Sequence, residues 1–95
     1  MLTLPIKKKW FDMIKSGKKK EEYREIKKYY GTRFGTLGVG NNQIHKIIFR
    51  NGYSNNSPSI KCKVSISIGC GKPEWGAEPN KLYYVLKILS VKEVK

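Results

Sequence analysis

Four residues in one short stretch have the types and spacing for chemistry: Gly17, Lys19, Glu22 and Arg24, within Ser16-Gly17-Lys18-Lys19-Lys20-Glu21-Glu22-Tyr23-Arg24. A lysine beside a carboxylate serves as an acid or base once burial lowers its pKa. An arginine presents a planar fork of donors that grips phosphate or carboxylate through two bonds. Glu22 is expected to orient Lys19 or Arg24, because a free carboxylate in a basic cleft would repel a polyanion. Arg24 accordingly has two readings, a phosphate grip or a structural ion pair with Glu22. The plain alternative for Lys19 is one more solvated charge in the run Lys18-Lys19-Lys20.

The elements around this stretch determine where those side chains go. Trp10, Phe11 and Ile14 mark one face of a helix starting near Lys7, with Lys8, Lys9, Asp12 and Lys15 outside and Ser16-Gly17 ending it. Trp10 and Phe11 read as core residues. A glycine just past a helix takes the left-handed conformation that stops it. An extended segment follows to Ile26, in which alternation aims Lys20, Glu22 and Arg24 one way. Lys19 and Tyr23 fall on the other parity, unless the turn redirects Lys19 toward Glu22.

Leu2-Thr3-Leu4-Pro5-Ile6 reads as a short first strand. Lys27 to Phe34 is mixed, with room for a helical turn, and Gly31, Gly35, Gly38 and Gly40 with Asn41-Asn42 mark a flexible connection. Those glycines match neither the Walker pattern nor Gly-x-Gly-x-x-Gly, so they give no phosphate loop. Ile44 to Phe49 is β-rich, and Asn51-Gly52 followed by Ser54 to Pro58 forms a turn and a polar stretch. Ile60, Cys62, Val64, Ile66 and Ile68 then alternate with Lys61, Lys63, Ser65 and Ser67, as a half-buried strand does. Gly69 to Pro79 is a loop holding Lys72, Glu74, Trp75 and Glu78, and Leu82 to Val91 is a last long strand. These elements predict a single α+β domain over residues 1–95, a small, mainly antiparallel β-barrel with one principal N-terminal helix. With one convincing helix there are too few crossovers for a doubly wound sheet.

The chain of 95 residues has a formal charge of +13. Eleven Lys or Arg stand against four acids in residues 1–33, and nine against three in the remainder, so the charge is no basic tail. A domain basic throughout gathers polyanions by counterion release, which makes nucleic acid the first partner to consider and an anionic membrane surface the second. No apolar run approaches the ~18 residues of a membrane span, and no signal-type segment opens the chain. A soluble, cytoplasmic protein without membrane association is expected, as a monomer. Cys62 and Cys70 form no Cys-x-x-Cys pair and only His45 could assist them, so neither metal nor cofactor is expected and both thiols should be free. His45 reads as structural or surface, since no nucleophile-elbow motif supports a Ser-His-Asp site. Trp75 either stacks on a base or caps the barrel. Tyr29, Tyr30 and Tyr53 interleave with Lys27, Lys28, Arg33 and Arg50, a mixture suited to single-stranded RNA.

The succession of strand, helix, Gly17-x-Lys19-x-x-Glu22-x-Arg24, and finally Gly71-Lys72-Pro73-Glu74-Trp75-Gly76 before a last strand resembles the ASCH domain family of the PUA-like superfamily, in its compact stand-alone bacterial or phage form. The likeness covers nearly the whole chain. It implies a β-barrel with a cleft beside the motif and RNA or a nucleotide as ligand. Together with the residues above, it makes Lys19, Lys20, Arg24, Lys72, Trp75, Tyr29 and Arg33 the expected ligand contacts. Stand-alone relatives include an amidohydrolase acting on acetylated cytidine and a ribonuclease. The amidohydrolase type uses a lysine, a threonine three residues later and a glutamate in the second half of the chain. Here Lys19 matches the lysine, Glu22 stands at the threonine position without a hydroxyl, and Glu74 or Glu78 matches the acid loosely. The catalytic candidates are therefore Lys19, Glu22 and Glu74. A third function class is a protein-interaction module whose basic face engages an acidic partner.

Overall fold

The computed structural model describes residues 1–40 and 43–94. Alternating apolar residues build its longest elements, β4 (Ser59–Cys70) and β5 (Leu82–Val94), which run antiparallel along almost their whole length. β4 buries Ile60, Cys62, Val64 and Ile66 on one face and turns Lys63 outward. β3 (His45–Asn51) pairs with β4 on its other side, and β1 (Leu2–Ile6) adds to β3 as a parallel strand. β2 (Glu21–Glu25) adds antiparallel to β5, giving the sheet order β1-β3-β4-β5-β2. This mostly antiparallel sheet curls into a half-barrel of α+β class rather than a closed barrel. A register shift contributes to the bend: Lys63 pairs with Ser90 but Val64 with Ile88, leaving Leu89 as an extra residue that increases local twist.

The first helix, α1 (Lys8–Lys15), lies against β3 and β5 and buries Phe11 and Ile14 in the core. Gly17 follows it at φ +83, the left-handed stop that its sequence position predicts. The expectation of one principal helix needs correction. Residues 28–37, read as a possible helical turn leading into a flexible connection, form a second and longer helix, α2 (Lys28–Leu37), with Gly31 and Gly35 inside it. Tertiary packing explains the difference. Phe34 is fully buried, stacks on Tyr30 at 5.7 Å and meets Tyr84 edge-on at 5.2 Å. Burying such a side chain is worth roughly 1.5–3 kcal/mol, which offsets much of the ~1 kcal/mol that each glycine costs a helix. The expected connection shrinks to the residues after Gly38, and its Asn41-Asn42 pair lies outside the described residues.

Three smaller expectations also shift. Strand β4 runs through Gly69 and Cys70, β5 continues past Val91 to Val94, and the intervening loop contains a 3₁₀ turn, Pro73–Trp75. Ile68, expected on the buried face, is exposed. Cys62 is buried and Cys70 exposed, both as free thiols, and burial pushes the Cys62 thiol up to about 12. His45 donates from Nε2 to the Gly38 carbonyl at 3.2 Å, tying the start of β3 to the end of α2. Among the described residues no helix is long and apolar enough to cross a membrane.

Candidate functional site

The half-barrel leaves a seam between its two edge strands, and Arg24 bridges it. From β2 its Nη2 donates to the Pro5 carbonyl of β1 at 3.1 Å. A cleft of about 770 Å³ opens along this seam, with Trp10, Lys19, Glu22, Arg24, Tyr30 and Trp75 among its walls.

Lys19 precedes the first residue of β2, so strand parity does not govern it. The turn does. Gly17 N–H donates to the Ile14 carbonyl and Lys19 N–H to that of Met13, while the Lys20 carbonyl accepts from Ile88 N–H. Fixed this way, Lys19 is 1% exposed and its ammonium donates to Glu22 Oε1. The same ammonium lies 4.3 Å from the centroid of the Trp10 ring, a cation–π contact. Glu22 Oε2 accepts from Arg24 Nη1 at 2.5 Å, and Nη1 also reaches the Tyr23 carbonyl at 2.8 Å. Both oxygens of the buried carboxylate are thereby occupied by cations, and both terminal nitrogens of Arg24 are engaged. The geometry assigns Arg24 the ion pair with Glu22 and a brace across the seam. Burial holds the Lys19 ammonium below the ordinary lysine pKa; the Glu22 carboxylate opposes this shift and the Arg24 charge adds to it.

Two tyrosines fix the loop that bears Trp75. Tyr23 of β2 accepts Lys72 N–H at 2.9 Å and donates to Glu21 at 2.7 Å, while Tyr83 of β5 accepts Glu78 N–H at 2.9 Å. Burial raises the Tyr23 phenol above its ordinary value, keeping it protonated as that donor. The loop starts tight against the sheet: a Cβ on Gly71 would sit 2.6 Å from Ala77 and 2.7 Å from the Tyr23 ring. It ends its 3₁₀ turn at Gly76, whose φ of +99 and close approach to the Trp10 indole both favour glycine. Trp75, half-buried, lines the same cleft as Trp10.

Of the residues expected at the site, Lys19, Glu22, Arg24 and Trp75 come together. Lys20 is exposed on the turn and outside the cleft. Lys72 is likewise outside, its ammonium 4.6 Å over the Trp75 ring. Glu74 is exposed and outside the cleft, and Glu78 lines it instead, paired with Lys81 at 3.1 Å. Tyr29 and Arg33 pack on each other at 3.5 Å on the exposed side of α2, while Tyr30 of the same helix and Tyr53 line the cleft. Trp10, expected in the core, is a half-buried wall of the cleft. The sequence carries a partial signal for this: Trp10 and Phe11 are neighbours about 100° apart around a helix, so within one apolar stripe one of the two sits toward its edge. The cleft is cationic, with Lys7, Lys8, Lys19, Arg24, Lys27 and Lys81 against Glu22, Glu25 and Glu78. Among the described residues there is no cluster of three or more potential metal ligands. No protein-family model, curated protein or solved structure matches this chain.

Proposed function

We propose that the seam cleft binds single-stranded RNA or a nucleotide, as the ASCH-like, PUA-like character of the sequence implies. The observation that carries this reading is the meeting of two indoles, Trp10 and Trp75, with an excess of cations in one cleft. A base stacks on the indoles, a contact worth about 1–3 kcal/mol, and exposed Lys7, Lys8 and Lys27 take phosphate. The Lys19–Glu22–Arg24 chain forms a rigid, charged floor below. Titration against labelled single-stranded RNA and matched DNA at two salt concentrations tests the reading. Binding should fall steeply with salt, and Trp75→Ala should weaken it by about 5- to 150-fold, the equivalent of one lost stacking contact. Absence of binding to either nucleic acid at low salt would favour an acidic protein partner instead.

A hydrolase reading draws on one feature, a buried lysine of lowered pKa touching a carboxylate at the edge of a cleft. Against it, Glu22 stands where the amidohydrolase type has its threonine, and its two oxygens are already held by Lys19 and Arg24. Incubation with acetylcytidine should therefore yield little or no cytidine by chromatography. Robust turnover that disappears in Lys19→Ala would make Lys19 a catalytic residue and overturn the binding-only reading.

A further inference from the structure

We propose that the outer face of β3, β4 and β5 is a second anion-binding surface, separate from the seam cleft, that carries the phosphate backbone of a single-stranded RNA. Lys46, Lys61, Lys63 and Lys92 surround a groove of about 370 Å³ there, with Ser90 between them. The strand register sets Lys46 directly opposite Lys63 and Lys61 directly opposite Lys92. Like charges in directly opposed cross-strand positions destabilise a sheet. Among the described residues none of the four makes a salt bridge, and the carboxylate next to Lys92 in the chain, Glu93, is drawn off to Lys15 on α1 at 2.6 Å. Lysines often protect exposed sheet edges from aggregation. That role does not account for Lys61 and Lys63, because β4 is bonded to β3 on one side and β5 on the other.

A row of phosphates relieves this concentration of charge. Side chains on one face recur about 7 Å along a strand and about 5 Å across neighbouring strands, so the four lysines form a staggered array over three strands, Lys46 beside Lys63 in one row and Lys61 beside Lys92 in the next. Among the described residues no aromatic side chain lines the groove, so it suits a sugar-phosphate backbone rather than a base. Among them no apolar side chain lines it either, which disfavours a lipid interface. The choice of RNA over an acidic peptide rests on the reading of the seam cleft.

The test compares the wild type with the quadruple variant Lys46→Gln, Lys61→Gln, Lys63→Gln, Lys92→Gln. Binding of a labelled twenty-nucleotide oligouridylate is followed as salt rises, and binding of uridine monophosphate reports the cleft alone. The variant should lose at least about tenfold in oligonucleotide affinity at low salt, with the slope of log K against log salt reduced by up to roughly 3. Its affinity for the mononucleotide should be unchanged, and its thermal midpoint equal to the wild type's or higher, since opposed like charges have been removed. Wild-type affinity and slope in the variant would overturn the proposal whatever the cleft does. Loss of binding to vesicles of anionic phospholipid with RNA binding intact would overturn it in favour of a membrane surface. Failure of the cleft reading shows differently: no mononucleotide binding by the wild type, while the quadruple variant still loses the oligonucleotide.

Discussion

At the scale of single residues, Glu22 holds the site together because it keeps two cations from facing each other. Removing it leaves Lys19 buried without a counterion and beside Arg24. Breaking a buried pair this way costs about 3–5 kcal/mol, so Glu22→Ala should lower the urea midpoint severely. Lys19→Met should cost clearly less, because Glu22 retains Arg24 and the new side chain is apolar; an equal or greater loss would contradict the asymmetry. Titration of Lys19 gives a second check. Burial lowers its pKa from 10.5, so between its folded midpoint and that value the unfolded chain holds the extra proton. The contribution of this residue to stability therefore rises with pH across that window. A lysine side-chain NMR titration should place the Lys19 midpoint below 10.5. A midpoint at or above it would mean that attraction to Glu22 outweighs burial. The spacing of Gly17, Lys19, Glu22 and Arg24 is enough to single these residues out in the sequence. The redirection of Lys19 is not readable there, because its own backbone bond to Met13 and the bond of Ile88 to the Lys20 carbonyl set it from outside the motif.

At the scale of elements, periodicity shows α1, β4 and β5 because each carries its own apolar pattern over several residues. It hides α2, whose glycines suggest a break and whose helical state depends on Phe34 finding Tyr30 and Tyr84. Gly35 has no neighbour within 4 Å of where a Cβ would sit, and it lies at an ordinary helical position. Gly35→Ala should therefore stabilise the protein by about 0.5–1 kcal/mol in chemical denaturation, and a loss of stability would contradict the placement of α2. Gly71→Ala acts in the opposite direction. Its Cβ collides with Ala77 and Tyr23, so the Lys72 to Glu78 loop must shift and take Trp75 with it. The expected result is weakened ligand binding together with altered Trp75 fluorescence; wild-type values of both would show that the loop does not depend on this close approach.

At the scale of the whole molecule, the curl of the sheet creates the cleft. Neither the parallel pairing of β1 with β3 nor the arrival of β1 opposite β2 is readable from spacing, since both are long-range results of strand order. Excess charge is readable, and it accounts for attraction to a polyanion without saying where the polyanion sits. The placement is what the account adds: the two indoles and the Lys19–Glu22–Arg24 floor lie at one seam, while Tyr29, Arg33 and Lys20 lie away from it. The most direct test is a titration of isotope-labelled protein with short single-stranded RNA, followed residue by residue by NMR. The shifts should concentrate on the amides of residues 19–24 and 75–76 and on the indole N–H groups of Trp10 and Trp75. Shifts confined to Tyr29 and Arg33 on α2, or none at all at low salt, would contradict the seam as the binding site.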